Sequence, residues 1–346
     1  MSQKTISVMT PCYNEEGNVR EVYERVRAAI ILAGDYKYEH IFIDNASSDN
    51  TLAELRAIAA GDKNVKVIRN TRNFGHVRSP MHAFQQATGD AVIGIAGDLQ
   101  DPPEMIVDLI AKWEEGFPVV IGVKAASDEN GLTFWIRKKY YRLVNRLSGV
   151  ETYENFTGFG LFDRKVVEIV KQFDDPYPYF RGMIAEIGMP HFEIPYHQPA
   201  RKHGITKNNF YSLYELAMLA ITNLSKVPLR LVTFSGFASA LLCILVSFAY
   251  LVYKLIFWNR FSAGLAPLII GVFFVMSLQM MFIGIVGEYI GTIHTLVQRR
   301  PLVVEQERIN FEFGLGEPVH DHSARVAGDC GAAAADSVAV PESISK

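Results

Sequence analysis

Short apolar runs alternate with amphipathic stretches through the N-terminal part of the chain. Residues 5–11, TISVMTP, are apolar until a proline and the polar loop CYNEEGN end the run. Helical spacing follows from Val19 to about Leu32. EHIFIDNASSDNT (39–51) reads as a second strand closing on an acid, Asp44, before a helix that starts near Thr51. VKVIRN (65–70) is a third strand, SPMHAFQQAT (79–88) a helix and AVIGIAGD (91–98) a fourth strand. Strands alternating with helices of about ten residues or more predict βαβ units and a mostly parallel α/β sheet. Ligands of such sheets sit beyond the carboxyl ends of the strands.

Further along the pattern changes. From Leu231 to Ile256 the only charge is Lys254, and from Leu265 to Val297 the only acidic or basic side chains are Glu288 and His294. About 20 apolar residues cross a bilayer core, so both stretches are long enough, with tilt. The link FWNRFSAG (257–264) makes them a helical hairpin. Its outer ends carry Lys226, Arg230, Arg299 and Arg300, against Lys254 and Arg260 at the link. That excess predicts a cytoplasmic side for both outer ends. The preceding NNFYSLYELAMLAITNLSKVP reads as an interfacial helix. The expected organisation is a sheet domain over 1–207, a juxtamembrane amphipathic helix over 208–230, two transmembrane helices over 231–297 and a tail over 298–346. The tail is small and polar after about 310 and is expected to be disordered.

Charge and cysteine content narrow the partners. A formal charge of −3 argues against nucleic acid, since phosphate-backbone binding wants a basic face. Cys12, Cys243 and Cys330 are far apart with no CxxC pair, which supports neither a disulfide framework nor a zinc site. The start MSQKTISVMT has no basic-then-apolar signal, so the sheet domain is expected in the cytoplasm.

Each expected strand ends on polar residues: Asn14 and Glu15, Asp44 and Asn45, Arg72 and Asn73, and Asp98. Any one could be an ordinary turn residue; four consecutive polar strand ends point to a ligand edge. Neither GxGxxG nor GxxxxGK[ST] occurs, so a dinucleotide fingerprint or P-loop does not explain them. SVMTPCYNEEGNV, IFIDNASSDNT, RNFG, GDLQDPPE, RKHGITK and GIVGEYIGTIHTLVQRRP, in that order, resemble family 2 glycosyltransferases. More narrowly, the chain resembles the polyprenyl-phosphate, dolichol-phosphate mannose synthase-like group, over residues 5 to about 304.

The resemblance implies a GT-A fold, a nucleotide-sugar donor, a polyprenyl (undecaprenyl) phosphate acceptor and a multi-pass bacterial inner (plasma) membrane protein. It implies donor binding by Pro11, Tyr13, Asn14, Glu15, Asp44, Asn45, Arg72 and Asn73. A diphosphate leaving group is commonly neutralised by Mg²⁺ or Mn²⁺ on carboxylates. Asp98 is the first expected ligand, with Gln100 or Asp101 as helper, and Pro102 and Pro103 then force an extended turn. Two departures stand out. Related enzymes often carry an acid where Ala96 stands, and an Asp and an Arg where Gly158 and Gly160 stand.

A lost carboxylate matters most for an alcohol acceptor, which must lose a proton. A phosphate monoester, with a second pKa of about 6, is already ionised and needs placing more than a base. Arg201, Lys202, His203 and Lys207 in ARKHGITKNN are the candidates for holding that phosphate, and Asp98, Arg201 and Lys207 the catalytic set. Asp163 is read as the partner of Arg164, and Arg72, His76 and Arg78 could meet the diphosphate. Gly284, Gly287 and Gly291 suit close helix packing and leave a homo-oligomer open. Two rivals are a silent membrane scaffold that kept the fold, and a processive polysaccharide synthase, which the missing QxxRW motif disfavours.

Overall fold

The computed structural model describes residues 3–126, 153, 155–173, 175–199, 227–257, 265–298 and 300–311. In chain order these form β1 (Thr5–Cys12), α1 (Val19–Ala33), β2 (Lys37–Asp44), α2 (Thr51–Gly61), β3 (Val65–Asn70), α3 (Gly75–Gln86) and β4 (Ala91–Gly94). A 3₁₀ turn at Pro103–Met105 leads into α4 (Ile106–Glu114). Then come β5 (Val119–Ala126), β6 (Phe156–Asp163), α5 (Arg164–Gln172), α6 (Phe180–Ile187) and β7 (His191–His197). The long helices α7 (Val227–Ile256) and α8 (Leu265–Val297) precede a last strand, β8 (Glu305–Ile309).

One sheet holds all eight strands, in the order β7-β5-β6-β4-β1-β2-β3-β8. β1 pairs in parallel with β2 and β4, β2 with β3, and β5 with β7, while β6 and β8 are antiparallel to their neighbours. The α/β class expected for a GT-A domain is therefore met, and its mostly parallel character comes from the central strands. The sheet separates two cores. Ile6 and Val8 of β1 and Ile93 of β4 join Val22 and Val26 of α1 and Leu109 of α4 in one buried cluster. On the opposite face Phe84 of α3, Phe162 of β6 and Phe180 of α6 meet edge to face, with ring centroids 5.1 to 5.6 Å apart. That alternation is the period-2 signature of strands buried on both faces.

The tail boundary changes. Glu305–Ile309, expected within the tail, pairs antiparallel with β3 and closes one edge of the sheet. Its short, charged sequence EQERI carries little apolar signal, and its place is set by long-range bonds. Arg56 reaches Glu307 at 2.5 Å, His82 reaches Glu305 at 2.5 Å, and Asn310 Nδ2 donates to the carbonyls of Ala59 and Val65 at 2.7 and 2.8 Å. A charged edge strand of this kind also guards the sheet against edge-to-edge association.

α7 begins at Val227, four residues before the run that the sequence suggested, and touches α8. Windows at Val227–Val246 and Gly271–Val297 reach mean hydropathies of 2.0 and 1.7 and are not buried, so both helices are long and apolar enough to cross a membrane. A Cβ at Gly284, Gly287 or Gly291 would meet nothing within 4 Å, so the glycine stripe plays no part in the contacts described. Of the expected juxtamembrane helix, 208–226 lies outside the described residues, as do the tail after 311 and most of the link.

Candidate active site

The carboxyl ends of β1 to β4 converge on one edge of the sheet, and loops there are held in uncommon backbone conformations. Asn14, Ala46 and Leu99 adopt φ values of 58°, 60° and 59°, each within a few residues of a strand end. Left-handed backbone is costly for Ala and Leu, and it tends to gather at functional sites.

The loops after β1 and β2 are stitched together. Asn14 Oδ1 accepts from Ser48 N at 2.8 Å, Ser47 Oγ accepts from Asn14 N at 2.9 Å and Thr51 Oγ1 accepts from Glu15 N at 2.8 Å. The Asp44 carboxylate accepts from Ser47 N at 3.2 Å, and burial raises its pKa despite that bond. Asn45 is used on both sides of its amide. It donates to Asn73 Oδ1 at 2.9 Å and to Gly75 O at 3.2 Å, and accepts from Asn70 Nδ2 at 3.1 Å and Phe74 N at 2.9 Å. Asn45 and Asn73 are thereby suited to holding the β3–α3 loop in place. Arg72, in the same loop, is exposed and stacks over Phe74 at 4.0 Å.

Beyond β4 the chain turns sharply. Gly97 is needed there, since a Cβ would come within 3.0 Å of Pro11 O and 3.4 Å of Cys12 Sγ. Asp98 is 9% exposed and accepts from Gln100 N at 3.2 Å. Asp101 is buried and doubly engaged: Tyr196 Oη donates to one oxygen at 2.9 Å and Ala96 N to the other at 3.2 Å. Burial pushes the Asp101 carboxyl up to about 6, against the opposing pull of the Tyr196 hydrogen bond. Asp101 thus ties β7 to the turn that carries Asp98. No cluster of three His, Cys, Asp or Glu side chains able to hold a metal forms among the described residues. Asp98 and Gln100 still offer hard oxygen donors, which suit an Mg²⁺ or Mn²⁺ ion that draws its remaining ligands from water and phosphate.

Next to this turn lies a cavity of about 240 Å³ between β1, β4, β6, α3 and α6. Met9, Phe84, Phe159, Tyr179 and Phe180 make its walls largely apolar, with Asp101, His76, Thr157 and Arg181 as polar groups. Ala96 and Gly158 both line it. The two departures noted in the sequence therefore fall on the wall of one cavity. Gly158 sits at φ 107°, with open space where a Cβ would go. Gly160 differs: a Cβ would come within 2.5 Å of Val120 O, so no longer side chain fits while β5 and β6 pair as they do.

Asp163 does not pair with Arg164. It caps α5 by accepting from Lys165 N at 2.9 Å, and accepts from Trp113 Nε1 at 2.8 Å. Arg164 reaches instead across to the carbonyls of Gly89 and Ala87. The helix start at Arg164 turns the two side chains apart. Tyr13 and Pro11 fall at the carboxyl end of β1, the latter on the cavity wall. Arg201, Lys202, His203 and Lys207 lie outside the described residues. Sequence reading missed Tyr179, Arg181 and Tyr196, which come from the start of α6 and an outer strand with no motif of their own.

Residues 7–170 match the family described as Glycosyl transferase family 2. The SfII prophage-derived bactoprenol glucosyl transferase of Shigella flexneri is 34% identical over 297 residues, covering 86% of this chain and 96% of that one. The chain belongs to glycosyl transferase family 2. A second relative, the uncharacterized glycosyltransferase YkcC of Bacillus subtilis, is 31% identical, with 88% and 94% of the two chains covered. Among solved structures, the mannosyltransferase PcManGT of Pyrobaculum calidifontis, in complex with GDP-Man and Mn²⁺, is similar at 17% identity and a TM-score of 0.42, over 86% of this chain and 88% of that one. Glucosyl-3-phosphoglycerate synthase of Mycobacterium tuberculosis with UDP is similar at 20% identity and a TM-score of 0.43, over 64% and 79%.

Proposed function

We propose that this family 2 member is an inverting, membrane-embedded hexosyltransferase that moves one sugar from a nucleotide-sugar donor to a polyprenyl phosphate, undecaprenyl phosphate in a bacterium. The observation that carries this reading is the cavity. Among the described residues its single acid is Asp101, and both oxygens of Asp101 already accept hydrogen bonds. That carboxylate is poorly placed to deprotonate an alcohol. A lipid phosphate needs no deprotonation, since its second pKa is about 6. The similarity to a bactoprenol glucosyl transferase over 86% of the chain supports the same acceptor class.

In this reading a phosphate oxygen attacks the anomeric carbon in line. The bond from that carbon to the donor diphosphate breaks, the nucleoside diphosphate leaves with the bonding electrons, and the configuration inverts. Asp44, Asn14, Glu15, Tyr13 and Pro11 line the donor's edge of the sheet, while Asn45 and Asn73 keep the neighbouring loop in register. Asp98 and Gln100 would hold Mg²⁺ or Mn²⁺, which when bound neutralises charge on the leaving diphosphate. Arg201, Lys202, His203 and Lys207 would hold the acceptor phosphate.

The placement in the bacterial inner membrane, with the sheet domain cytoplasmic, rests on the basic flanks of the two helices; β8 supports a shared side for the sheet domain and the chain beyond α8. The sheet domain precedes α7, and β8 follows α8 yet joins the same sheet. The sheet domain and β8 therefore share one side, which fits α7 and α8 crossing a bilayer as a pair. The test is a panel of nucleotide sugars offered to the purified full-length protein with undecaprenyl phosphate and Mg²⁺ or Mn²⁺, with products weighed by mass spectrometry. A single-hexose adduct of the lipid phosphate is expected. Turnover only on alcohol acceptors, or none with any donor, would overturn the proposal.

A further inference from the structure

Arg72 and Arg78 share one aromatic ring where the chain leaves α8 and returns to the sheet, and Arg300 lies within electrostatic reach of Arg78. Arg72 lies over the ring of Phe74 at 4.0 Å, and Arg78, in the first turn of α3, lies over the same ring at 5.7 Å. Arg78 Nη2 donates to Pro301 O at 2.7 Å, which sets it against the residue that follows Arg300. Burial, then the charges of Arg72 and Arg300, push the Arg78 guanidinium below its usual pKa. Its Nε is buried and has no hydrogen-bond partner among the described residues. None of the three arginines forms a salt bridge among the described residues.

Like charges held this close repel one another, and a buried donor left unbonded costs about 1–3 kcal/mol. Both penalties fall away if an anion sits among the three side chains. α3 begins at Gly75, whose N donates to Asn73 Oδ1 at 2.8 Å, so the positive end of a twelve-residue helix lies at the same loop with its first N–H already used. Guanidinium groups suit a tetrahedral oxyanion because each can donate two parallel hydrogen bonds.

We infer that Arg72, Arg78 and Arg300 form a binding site for a phosphate group at the end of α8. Arg300 stands three residues beyond Val297, the last residue of that long apolar helix. If α8 crosses a bilayer, as proposed above, the site lies at the level of lipid phosphates. The same chemistry would also take phosphate from solution. The site is separate in sequence from the basic run at 201–207, and it gives Arg72 a ligand shared with the end of the second apolar helix.

Calorimetric titration of the full-length protein in neutral maltoside detergent tests this. Inorganic phosphate is the probe in one arm and dihexanoyl phosphatidic acid in the other, with dihexanoyl phosphatidylcholine as control. Saturable binding is expected, weakened about tenfold or more in Arg300→Gln and in Arg78→Met, and unchanged in Lys112→Gln on a distant helix. Tighter binding of the phosphatidate marks a lipid headgroup as the source; equal affinity in both arms marks free phosphate. Binding in neither arm, or equal binding by wild type and Arg300→Gln, overturns the site. Arg300→Gln decides the matter if Arg78→Met fails to fold, because Arg300 makes none of the hydrogen bonds described for the 301–310 segment. No sugar donor is present, so a wrong glycosyl acceptor would leave this result unaffected.

Discussion

At the scale of single residues, the site turns on one carboxylate. Asp98 is held four residues beyond β4 by the tight Gly97 turn and by the left-handed Leu99, so its position is fixed before any ligand arrives. Asp98→Asn removes charge at nearly constant shape. It should lower kcat by several orders of magnitude while the melting temperature stays within about 2 °C of wild type. Retained turnover in this variant would show that Asp98 holds no metal. Asp98 and Asp44 were legible in the sequence because an acid at the end of a β-branched run is a local pattern. The engagement of Asp101 with Tyr196 was not, because the partners are 95 residues apart. Nor could the sequence tell that Gly158 has open space while Gly160 has none, since that depends on how closely β5 approaches β6.

At the scale of elements, β8 is a strap that holds α3, one wall of the cavity. Burial alone would raise the pKa of Glu305, but hydrogen bonds from His82 and Arg308 outweigh it and hold the carboxyl down at about 2. A carboxylate with a depressed folded-state pKa stabilises the fold above its unfolded value, about 4.3, and that stability is lost as pH falls toward 2. Glu305→Gln should therefore lower the melting temperature at pH 7 and lower it by clearly less at pH 3. An equal drop at both pH values would show that the charge does not hold the strap. The first four strands and their helices follow directly from periodicity. β8 does not, because five mostly charged residues carry no period strong enough to read, and only pairing with β3 makes them a strand.

At the scale of the whole molecule, α7 and α8 hold 30 and 33 residues, lengths of about 45 and 50 Å at 1.5 Å per residue. Each exceeds a hydrocarbon core of about 30 Å, so tilt or extension past the headgroups is required. With β8 back in the sheet, the loop between the helices should be the part on the far side. A single cysteine at Asn259, in a background free of other accessible thiols, should react with a membrane-impermeant maleimide added outside intact cells. Labelling only after the cytoplasmic face is opened would reverse the topology.

The sequence by itself determined the α/β class, the polar strand ends, the two long apolar helices and the family, because periodicity, strand-end acids and hydropathy are properties of neighbouring residues. Tertiary structure alone decided that Ala96 and Gly158 face one cavity, that Asp101 and Asn45 are engaged in internal hydrogen bonds, and that Arg72, Arg78 and Arg300 converge. Those facts depend on which distant segments the sheet brings side by side. A local pattern carries no record of such distances; only the closed fold sets them.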